Sequence, residues 1–307
     1  MVDRGFDGGV SCNPVLVELL VSGSRVEPLV EPKPGGVGRC VSHGDKSVFD
    51  FEVASMLVSV SAYESCAGAS RSCRSSIASG FRVYRRLHGL FLPRTNVYLG
   101  LLLLILPLSA SLGLKEHNNV REMIDAARDI VLYCTGPEEA REYYRLLEYL
   151  GLSHLGVYKG PIPGVGEGYP DSFVSILEAA RWDHVHRELL DGYPLSLEAY
   201  GIIKESPGGL EGRVLNAILE LLASYGDTLI ASKYGWRAYK KALEDAKTAK
   251  MLSTKLGVRG ALEWLDSLWR PRGWNPGSIY DIVAVGIGFY MLDRVFQINH
   301  TPDTSRR

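Results

Sequence analysis

A stretch rich in proline and glycine near the start of the chain has the composition of a ligand-binding loop. Val26 to Arg39 contains three prolines and three glycines, which exclude both a regular helix and a central strand. Lys33 and Arg39 flank Gly35 and Gly36, and glycines let backbone N–H groups approach a ligand closely. A plain linker explains the same composition equally well.

A second stretch, Asn275-Pro-Gly-Ser278, has the pattern of a helix start that could receive an anion. Asn275 suits the N-cap, and Pro276 suits the first helical position. Gly277 and Ser278 leave the first turn open, as an anion site at a helix N-terminus requires. Helix capping alone also explains Asn275.

Two acidic residues stand out between these stretches. Asp227 begins the sequence Asp-Thr-Leu-Ile-Ala-Ser-Lys and is predicted to cap a helix. Asp183 is followed by His184 and His186, which invites a metal interpretation. Histidines at positions i and i+2 do not share a helix face, so a zinc pair is disfavoured. Asp183 alone remains the candidate.

These residues need a scaffold, and the most apolar segment of the chain predicts its centre. The run from Val97 to Leu114 leaves no helical face for water, so it is either wrapped by protein or by lipid. It is at the lower limit of the roughly 20 residues that span a bilayer, and Gly100 and Pro107 interrupt it. We expect a buried core helix that Thr95 or Asn96 caps and that Pro107 kinks or ends.

Periodicity elsewhere predicts helices and no set of alternating strands. Apolar residues recur at helical spacing from Ser47 to Ala69 and from Leu210 to Tyr225, and Thr135 with Glu138 has the form of a capping box. The sequence therefore predicts an all-α fold of about ten helices packed around 96–112 and 279–296. We expect one domain over 1–307, with frayed tails at 1–11 and 299–307.

Composition limits the classes of partner. The net charge of −1 over 307 residues offers no global field for nucleic acid or an anionic membrane. Six arginines between positions 71 and 94 could form a polyanion-binding face, although a solvated helix face is the more common outcome. Five scattered cysteines without a CxxC pair suggest neither a zinc site nor a disulfide framework. The N-terminus lacks the layout of a signal peptide, so a soluble, cytoplasmic protein is expected.

The order of these motifs resembles the triphosphoribosyl-dephospho-CoA synthase family over about residues 12–295. The resemblance rests on the following segments, in this order: Glu31-Pro-Lys-Pro-Gly35, Thr95-Asn96 with Gly100 and Pro107, Asp183, Asp227 to Lys233, and Asn275 to Asp281. It implies an all-helical fold and a reaction between ATP and 3′-dephospho-CoA. In that reaction a ribose 2′-hydroxyl attacks C1 of the ATP ribose, adenine leaves, and the product becomes the prosthetic-group precursor of a lyase or decarboxylase acyl carrier.

The resemblance also implies roles for the candidate residues. A triphosphate would draw its charge partners from Lys33, Arg39 and Lys233, and backbone donors from Gly35, Gly36, Gly277 and Ser278. Asp183, Asp227 and Asp281 would hold Mg²⁺, unless Asp183 or Asp227 instead accepts the proton of the attacking hydroxyl. Asn96 and Asn275 would contact the nucleotide.

The chain departs from the family pattern where Val97-Tyr98 follow Thr95-Asn96, a position at which the family has a polar residue. Three alternatives therefore stay open: a relative with a different acceptor, a nucleotide-binding protein without catalysis, and a nucleic-acid-associated protein that uses the arginines. ATP and 3′-dephospho-CoA are the expected small-molecule partners, with no nucleic acid or membrane and with possible self-association.

Overall fold

The chain is helical throughout the part that the structure, a computed structural model, describes: residues 10–44, 46–92, 96–152 and 162–300. The helices are α1 Pro14–Val21, α2 Gly23–Val26, α3 Val48–Ala69, α4 Ser76–Phe91, α5 Leu99–Leu114, α6 Val120–Asp129, α7 Pro137–Tyr149, α8 Phe173–Ala179, α9 His184–Asp191, α10 Pro194–Glu205, α11 Leu210–Tyr225, α12 Thr228–Trp269 and α13 Gly277–His300. Within these ranges there is no β-strand, only a single bridge between His43 and Lys46. The predicted all-α fold is confirmed.

Helix α5 is the buried centre. All of its residues except Gly100 are buried, and it packs against α3, α6 and α13. This confirms the core helix that its uniform apolar composition predicted. Among the described residues, no individual helix combines the length and the apolar character that crossing a membrane requires, although α11 and the segment Thr228–Arg272 pass that test as a pair bent by 41°.

Pro107 does not end α5, which continues to Leu114. Proline removes one backbone donor from the helix, and neighbouring helices bond to carbonyls in this turn. Ser65 Oγ donates to the carbonyl of Leu106 at 3.0 Å, and Tyr193 Oη donates to the carbonyl of Leu104 at 2.8 Å. These bonds attach the turn of α5 that contains the proline to α3 and to the residue before α10.

The start of α5 differs from the prediction. The helix begins at Leu99, and Tyr98 precedes it with a positive φ of 60°. The Asn96 side chain does not cap the helix, and Thr95 lies outside the described residues. Because the Tyr98 hydroxyl donates to the carbonyl of Ser24, the ring is anchored in the core and the chain must turn at this position.

Other helix starts follow local sequence closely. Asn13 accepts the N–H of Val15 at the start of α1, and Ser47 with Asp50 forms a capping box on α3. The predicted box at Thr135 and Glu138 is displaced by one residue, because Glu139 accepts the N–H of Gly136 at 2.8 Å. Thr135 Oγ1 instead donates to the carbonyl of Val131.

The cysteine prediction is wrong. Cys12 is bonded to Cys66 and Cys73 to Cys134, with sequence separations of 54 and 61 residues. Cys40 is free and exposed. Pairs so far apart leave no spacing pattern in the sequence. Cys12 precedes α1 and Cys66 lies on α3, whereas Cys73 lies between α3 and α4 and Cys134 ends the segment Ile130–Cys134 that follows α6. Disulfides persist mainly in oxidising compartments or in intracellular proteins of hyperthermophiles, so cysteine usage does not favour the expected cytoplasmic location.

Two arginines of the basic segment 71–94 take part in ion pairs within the fold. Arg82 contacts Glu138 at 2.7 Å, and Arg85 contacts Glu142 at 3.3 Å, so both tie α4 to α7. Glu142 is buried, and its partners compensate its charge. These contacts favour a structural role for this part of the basic segment over a polyanion-binding face.

Candidate active site

A cavity of about 170 Å³ lies where the N-terminal ends of α5, α9, α12 and α13 meet the loop before α3. Helix N-termini carry unpaired N–H groups and a partial positive charge, so their convergence favours an anionic ligand. Eight of the predicted site residues line this cavity: Lys33, Asn96, Asp183, Lys233, Asn275, Gly277, Ser278 and Asp281. Four do not: Gly35, Gly36, Arg39 and Asp227.

The glycines of the proline–glycine loop serve packing within the protein. The N–H of Gly35 donates to Asp266 at 2.7 Å, and the N–H of Gly36 donates to the carbonyl of Lys33. A Cβ on Gly35 would lie 1.7 Å from the carbonyl oxygen of Trp274, so this position requires glycine. Both N–H groups are therefore occupied, contrary to their expected role as phosphate donors.

The two cations of the loop are also engaged by acids. Arg39 is half-exposed and pairs with Glu211 at 3.0 Å, outside the cavity. Lys33 is buried, and its ammonium lies 2.5 Å from Glu27 and 4.5 Å from the centre of the Tyr280 ring. Burial raises the pKa of Glu27 and lowers the pKa of Lys33, while their mutual attraction opposes both shifts. Lys33 therefore brings no uncompensated charge to a ligand.

Asp227 joins two helices and does not reach the cavity wall. One carboxylate oxygen accepts the N–H groups of Leu229 and Ile230 at the start of α12, at 2.8 and 3.2 Å. The other accepts the N–H of Ile279 at the start of α13, at 2.8 Å. Burial raises the pKa of Asp227 to about 7, while these three donors act in the opposite direction. The helix-cap interpretation is thus correct, and a direct catalytic or metal role is not supported.

Asp227 also takes over the cap that was predicted for Asn275. Helix α13 begins at Gly277, and its Ile279 N–H bonds to Asp227 instead of to the Asn275 side chain. The Oδ1 atom of Asn275 is buried and has no hydrogen-bond partner in the described part of the chain, although the residue lines the cavity. An unpaired buried oxygen costs free energy, so it indicates a ligand donor that is absent here.

Asp183 belongs to a hydrogen-bonded chain of side chains at the cavity wall. Its Oδ2 atom lies 2.6 Å from Nδ1 of His186, and its Oδ1 atom accepts from Thr228 Oγ1 at 2.6 Å. The other imidazole nitrogen lies 3.2 Å from the hydroxyl of Tyr143. Burial acts to raise the pKa of Asp183, but the hydrogen bond and charge of His186 outweigh it and the pKa lies below its ordinary value.

This geometry gives His186 a defined protonation pattern. The carboxylate accepts, so the proton of the neutral ring resides on Nδ1, and Nε2 is the acceptor that faces the Tyr143 hydroxyl. A carboxylate that orients an imidazole in this way is the usual arrangement behind a general base. Sequence reasoning did not identify His186, because the spacing of His184 and His186 was compared only with that of a metal-binding pair.

Lys46 and His43, which sequence reasoning did not identify, line the cavity together with Lys233 and give it a positive end. Lys46 donates to the carbonyl of Asn96 at 2.6 Å. Burial and the charges of both lysines lower the pKa of His43. Burial also lowers the pKa of Lys233, and Asp227 partly opposes that effect. Cations that lower the pKa of a neighbouring histidine mark a place that suits an anion.

Asp281 faces the cavity from the first turns of α13. No hydrogen bond to its carboxyl group occurs among the described residues, and burial together with the charges of Glu27 and Asp227 raises its pKa well above the ordinary value. A Cβ at Gly100 would lie 2.3 Å from its Oδ2 atom. Gly100 therefore makes room for Asp281, which explains the interruption in the apolar helix.

The predicted three-carboxylate metal site does not form within the described residues. No group of three or more His, Cys, Asp or Glu side chains there has a metal-binding arrangement, and Asp227 is used by backbone donors. Asp281 remains open to a ligand, and Asp183 is partly engaged. One or two carboxylates suffice for Mg²⁺ when substrate phosphates complete its shell, so these residues fit a metal ion that arrives with a nucleotide.

Comparison with known proteins establishes the family of the chain. No curated protein matched the sequence. The fold is similar to the crystal structure of a candidate triphosphoribosyl-dephospho-CoA synthase from Archaeoglobus fulgidus, with a TM-score of 0.58 and 20% identity over 78% of this chain and 96% of that one. The model of the ATP:dephospho-CoA triphosphoribosyl transferase family matches residues 14–300. The chain is thus a transferase of the ATP:dephospho-CoA triphosphoribosyl transferase family.

Proposed function

We propose that this protein transfers the triphosphoribosyl group of ATP to 3′-dephospho-CoA and releases adenine. The observation that carries the proposal is that one cavity joins the cations Lys46 and Lys233 to the Asp183–His186 pair. The first group suits a triphosphate, and the second suits the activation of a hydroxyl. Both are required to move a phosphorylated ribose onto a hydroxyl acceptor.

The triphosphate binds at the positive end of the cavity. Lys46 and Lys233 supply charge-assisted hydrogen bonds, and the first turn of α13 at Gly277 and Ser278 adds a helix N-terminus. The unpaired oxygen of Asn275 accepts a donor of the nucleotide, such as a ribose hydroxyl or the adenine amino group. Asp281 and Asp183, which both line the cavity, would hold a Mg²⁺ ion bound with ATP, and such an ion would neutralise phosphate charge.

The acceptor hydroxyl is activated by His186. Its Nε2 atom takes the proton of the ribose 2′-hydroxyl, which replaces the Tyr143 hydroxyl as its hydrogen-bond partner, while Asp183 stabilises the resulting imidazolium. The imidazolium then returns this proton to water. The hydroxyl oxygen forms a bond to C1 of the ATP ribose, and the bond from C1 to adenine breaks with its electron pair on the base. Adenine gains a proton from water, and the triphosphate remains on the transferred ribose.

The product is the precursor of a prosthetic group for the acyl carrier of a lyase or decarboxylase. This assignment rests on family membership. We also propose a cytoplasmic location and self-association. Two disulfides are uncommon in cytoplasmic proteins outside hyperthermophiles.

The test is to incubate the protein with ATP, Mg²⁺ and 3′-dephospho-CoA and to measure free adenine by chromatography. Adenine release should require both substrates. His186→Gln should lower kcat by about 100-fold or more with ATP binding intact, since general bases contribute at least that factor. His117→Gln is the control, because His117 bonds to the carbonyl of Ser111 away from the cavity.

The other outcomes discriminate between the alternatives. ATP binding without adenine release would indicate a different acceptor or a binding protein that has lost the chemistry, and a screen of nucleotide acceptors would separate these two. Absence of ATP binding would contradict the assignment of the cavity. Full activity in His186→Gln would be compatible with the transfer reaction but would show that His186 is not its general base.

A further inference from the structure

Three aromatic side chains, Trp182, Trp236 and Tyr239, form an aromatic surface beside the cavity. Trp182 and Trp236 are 40% and 54% exposed, which is unusual for the largest side chain. The centres of their rings are 5.9 Å apart, with an angle of 71° between the planes. The ring centre of Tyr239 lies 5.3 Å from that of Trp236, at 74°. We refer to these three residues as the rim aromatics.

The rim aromatics are held in place by contacts within the protein. The Tyr239 hydroxyl donates to the carbonyl of Tyr225 at 2.6 Å, so its ring supports Trp236 from behind. Gly235 has a φ of 83° and breaks α12 directly before Trp236. Edge-to-face pairing of this kind fixes the rings while it leaves a ring face open to a ligand. The surface is therefore pre-organised.

The surface is continuous with the reactive end of the cavity. Trp182 itself lines the cavity and is the residue before Asp183, which orients His186. A planar ring stacked on Trp182 would thus hold its own substituents next to the Asp183–His186 pair. Lys46 and Lys233 line the same cavity and supply the cations that suit phosphate groups.

We propose that the rim aromatics stack the adenine ring of the acceptor nucleotide, 3′-dephospho-CoA, and so place its ribose at His186. This inference rests on the proposed function and adds the subsite that selects the acceptor. The hydroxyl that reacts belongs to the ribose bonded directly to that adenine, so the base must bind within one sugar of the general base. The adenine of ATP is also bonded to the reacting centre, so the experiment measures the affinity of both nucleotides.

The test compares variants in which the aromatic surface is removed or kept. Trp236→Leu removes the outer ring, Trp236→Phe keeps an aromatic face, and Trp182→Leu removes the ring that lines the cavity. Both leucine variants should weaken binding of 3′-dephospho-CoA about tenfold, because a base stacked on an aromatic side chain contributes on that order. Trp236→Phe should restore most of the affinity.

The measurements are the Kd of 3′-dephospho-CoA and the Kd of a non-reactive ATP analogue, both by calorimetry, with thermal unfolding to verify folding. Tyr133→Leu is the matched control, since Tyr133 is 66% exposed and does not line the cavity. The proposal predicts an unchanged Kd for the ATP analogue in every variant. In the adenine assay the leucine variants should raise KM for 3′-dephospho-CoA and leave KM for ATP unchanged.

Two results would overturn the proposal. If 3′-dephospho-CoA binds the leucine variants as tightly as the native protein, the rim aromatics do not bind the acceptor. If the ATP analogue alone loses affinity, the stacked base belongs to ATP. In both cases adenine release by the native protein would show that the proposed function stands, whereas a native protein that binds neither substrate would refute both.

Discussion

The carboxylate of Asp227 accepts the backbone N–H of Ile279, 52 residues away in the chain, at 2.8 Å. The same side chain accepts two N–H groups at the start of its own helix, α12. One buried carboxylate thus joins the N-terminal ends of α12 and α13. Because Lys233 lies on the first of these helices and Asn275 to Asp281 lie at the start of the second, Asp227 fixes the relative position of the two walls of the cavity.

Replacement of Asp227 by alanine should mainly lower the free energy of unfolding and should not act directly on the transfer reaction. Three buried N–H groups lose their acceptor, and a lost cap together with unpaired buried donors costs about 2–4 kcal/mol in the free energy of unfolding. Urea unfolding followed by circular dichroism measures this change. Asp125→Ala is the control, because Asp125 is exposed on α6. A variant that is inactive but as stable as the native protein would instead favour a catalytic role for Asp227.

Gly100→Ala should displace Asp281 in the cavity, although alanine is favoured over glycine inside a helix. Alanine is preferred over glycine inside a helix by roughly 0.5–1 kcal/mol, but its Cβ would lie 2.3 Å from Asp281 Oδ2 and 3.3 Å from Val185. Asp281 must therefore move, and adenine release should fall at least about tenfold if its carboxyl contacts the Mg²⁺–ATP complex.

The control for this substitution is Gly201→Ala. Gly201 lies inside α10, and a Cβ there would meet nothing within 4 Å. That variant should be as active as the native protein and slightly more stable. Equal adenine release by the two alanine variants would mean that the close approach of Asp281 to Gly100 has no role in the reaction.

As the pH rises, binding of ATP should weaken at a lower pH than it would if Lys233 had the pKa of an ordinary lysine. Burial lowers the pKa of Lys233 from 10.5, so its ammonium loses its proton, and its attraction for phosphate, as the pH rises through that lowered value. Lys233→Arg should move the loss to higher pH, since arginine stays charged. The Kd of an ATP analogue measured from about pH 7 to pH 10 tests this.

Lys240→Arg is the control on the same helix, because Lys240 is exposed and does not line the cavity. It should leave the pH profile unchanged. An identical profile for native protein and Lys233→Arg would assign the alkaline loss to another group at that end, of which Lys46 is the first candidate. Lys233→Gln should weaken ATP binding about tenfold at neutral pH, because it removes the ammonium group altogether.

The disulfides should contribute measurably to stability. The cross-links join residues 54 and 61 positions apart, and loops of that length correspond to about 2–4 kcal/mol of stabilisation per bond. Dithiothreitol should therefore lower the urea midpoint of the native protein, and Cys73→Ser should reproduce part of that decrease. Cys40→Ser serves as the control because Cys40 is free. A midpoint that reductant does not change would mean that these pairs are not bonded in solution.

Sequence alone was sufficient for the features that depend on local interactions. Apolar periodicity located α3 and α11, and uniform apolarity identified α5 as the centre of the core. Short polar motifs marked most of the segments that line the cavity, since helix starts are specified by residues within one turn of each other. The order of those motifs also pointed to the family that the comparison establishes.

Only the tertiary structure decided how these segments are used. It paired Lys33 with Glu27, bonded the loop glycines to protein groups, and gave Asp227 a second helix to cap. It also brought His43 and Lys46 to Lys233, and it placed the hydroxyls of Thr228 and Tyr143 against the Asp183–His186 pair. The physical reason is that a charged or polar group forms its ion pair or hydrogen bond with the partner that lies nearest in space. That partner is often tens to hundreds of residues away, where no spacing rule in the sequence records it.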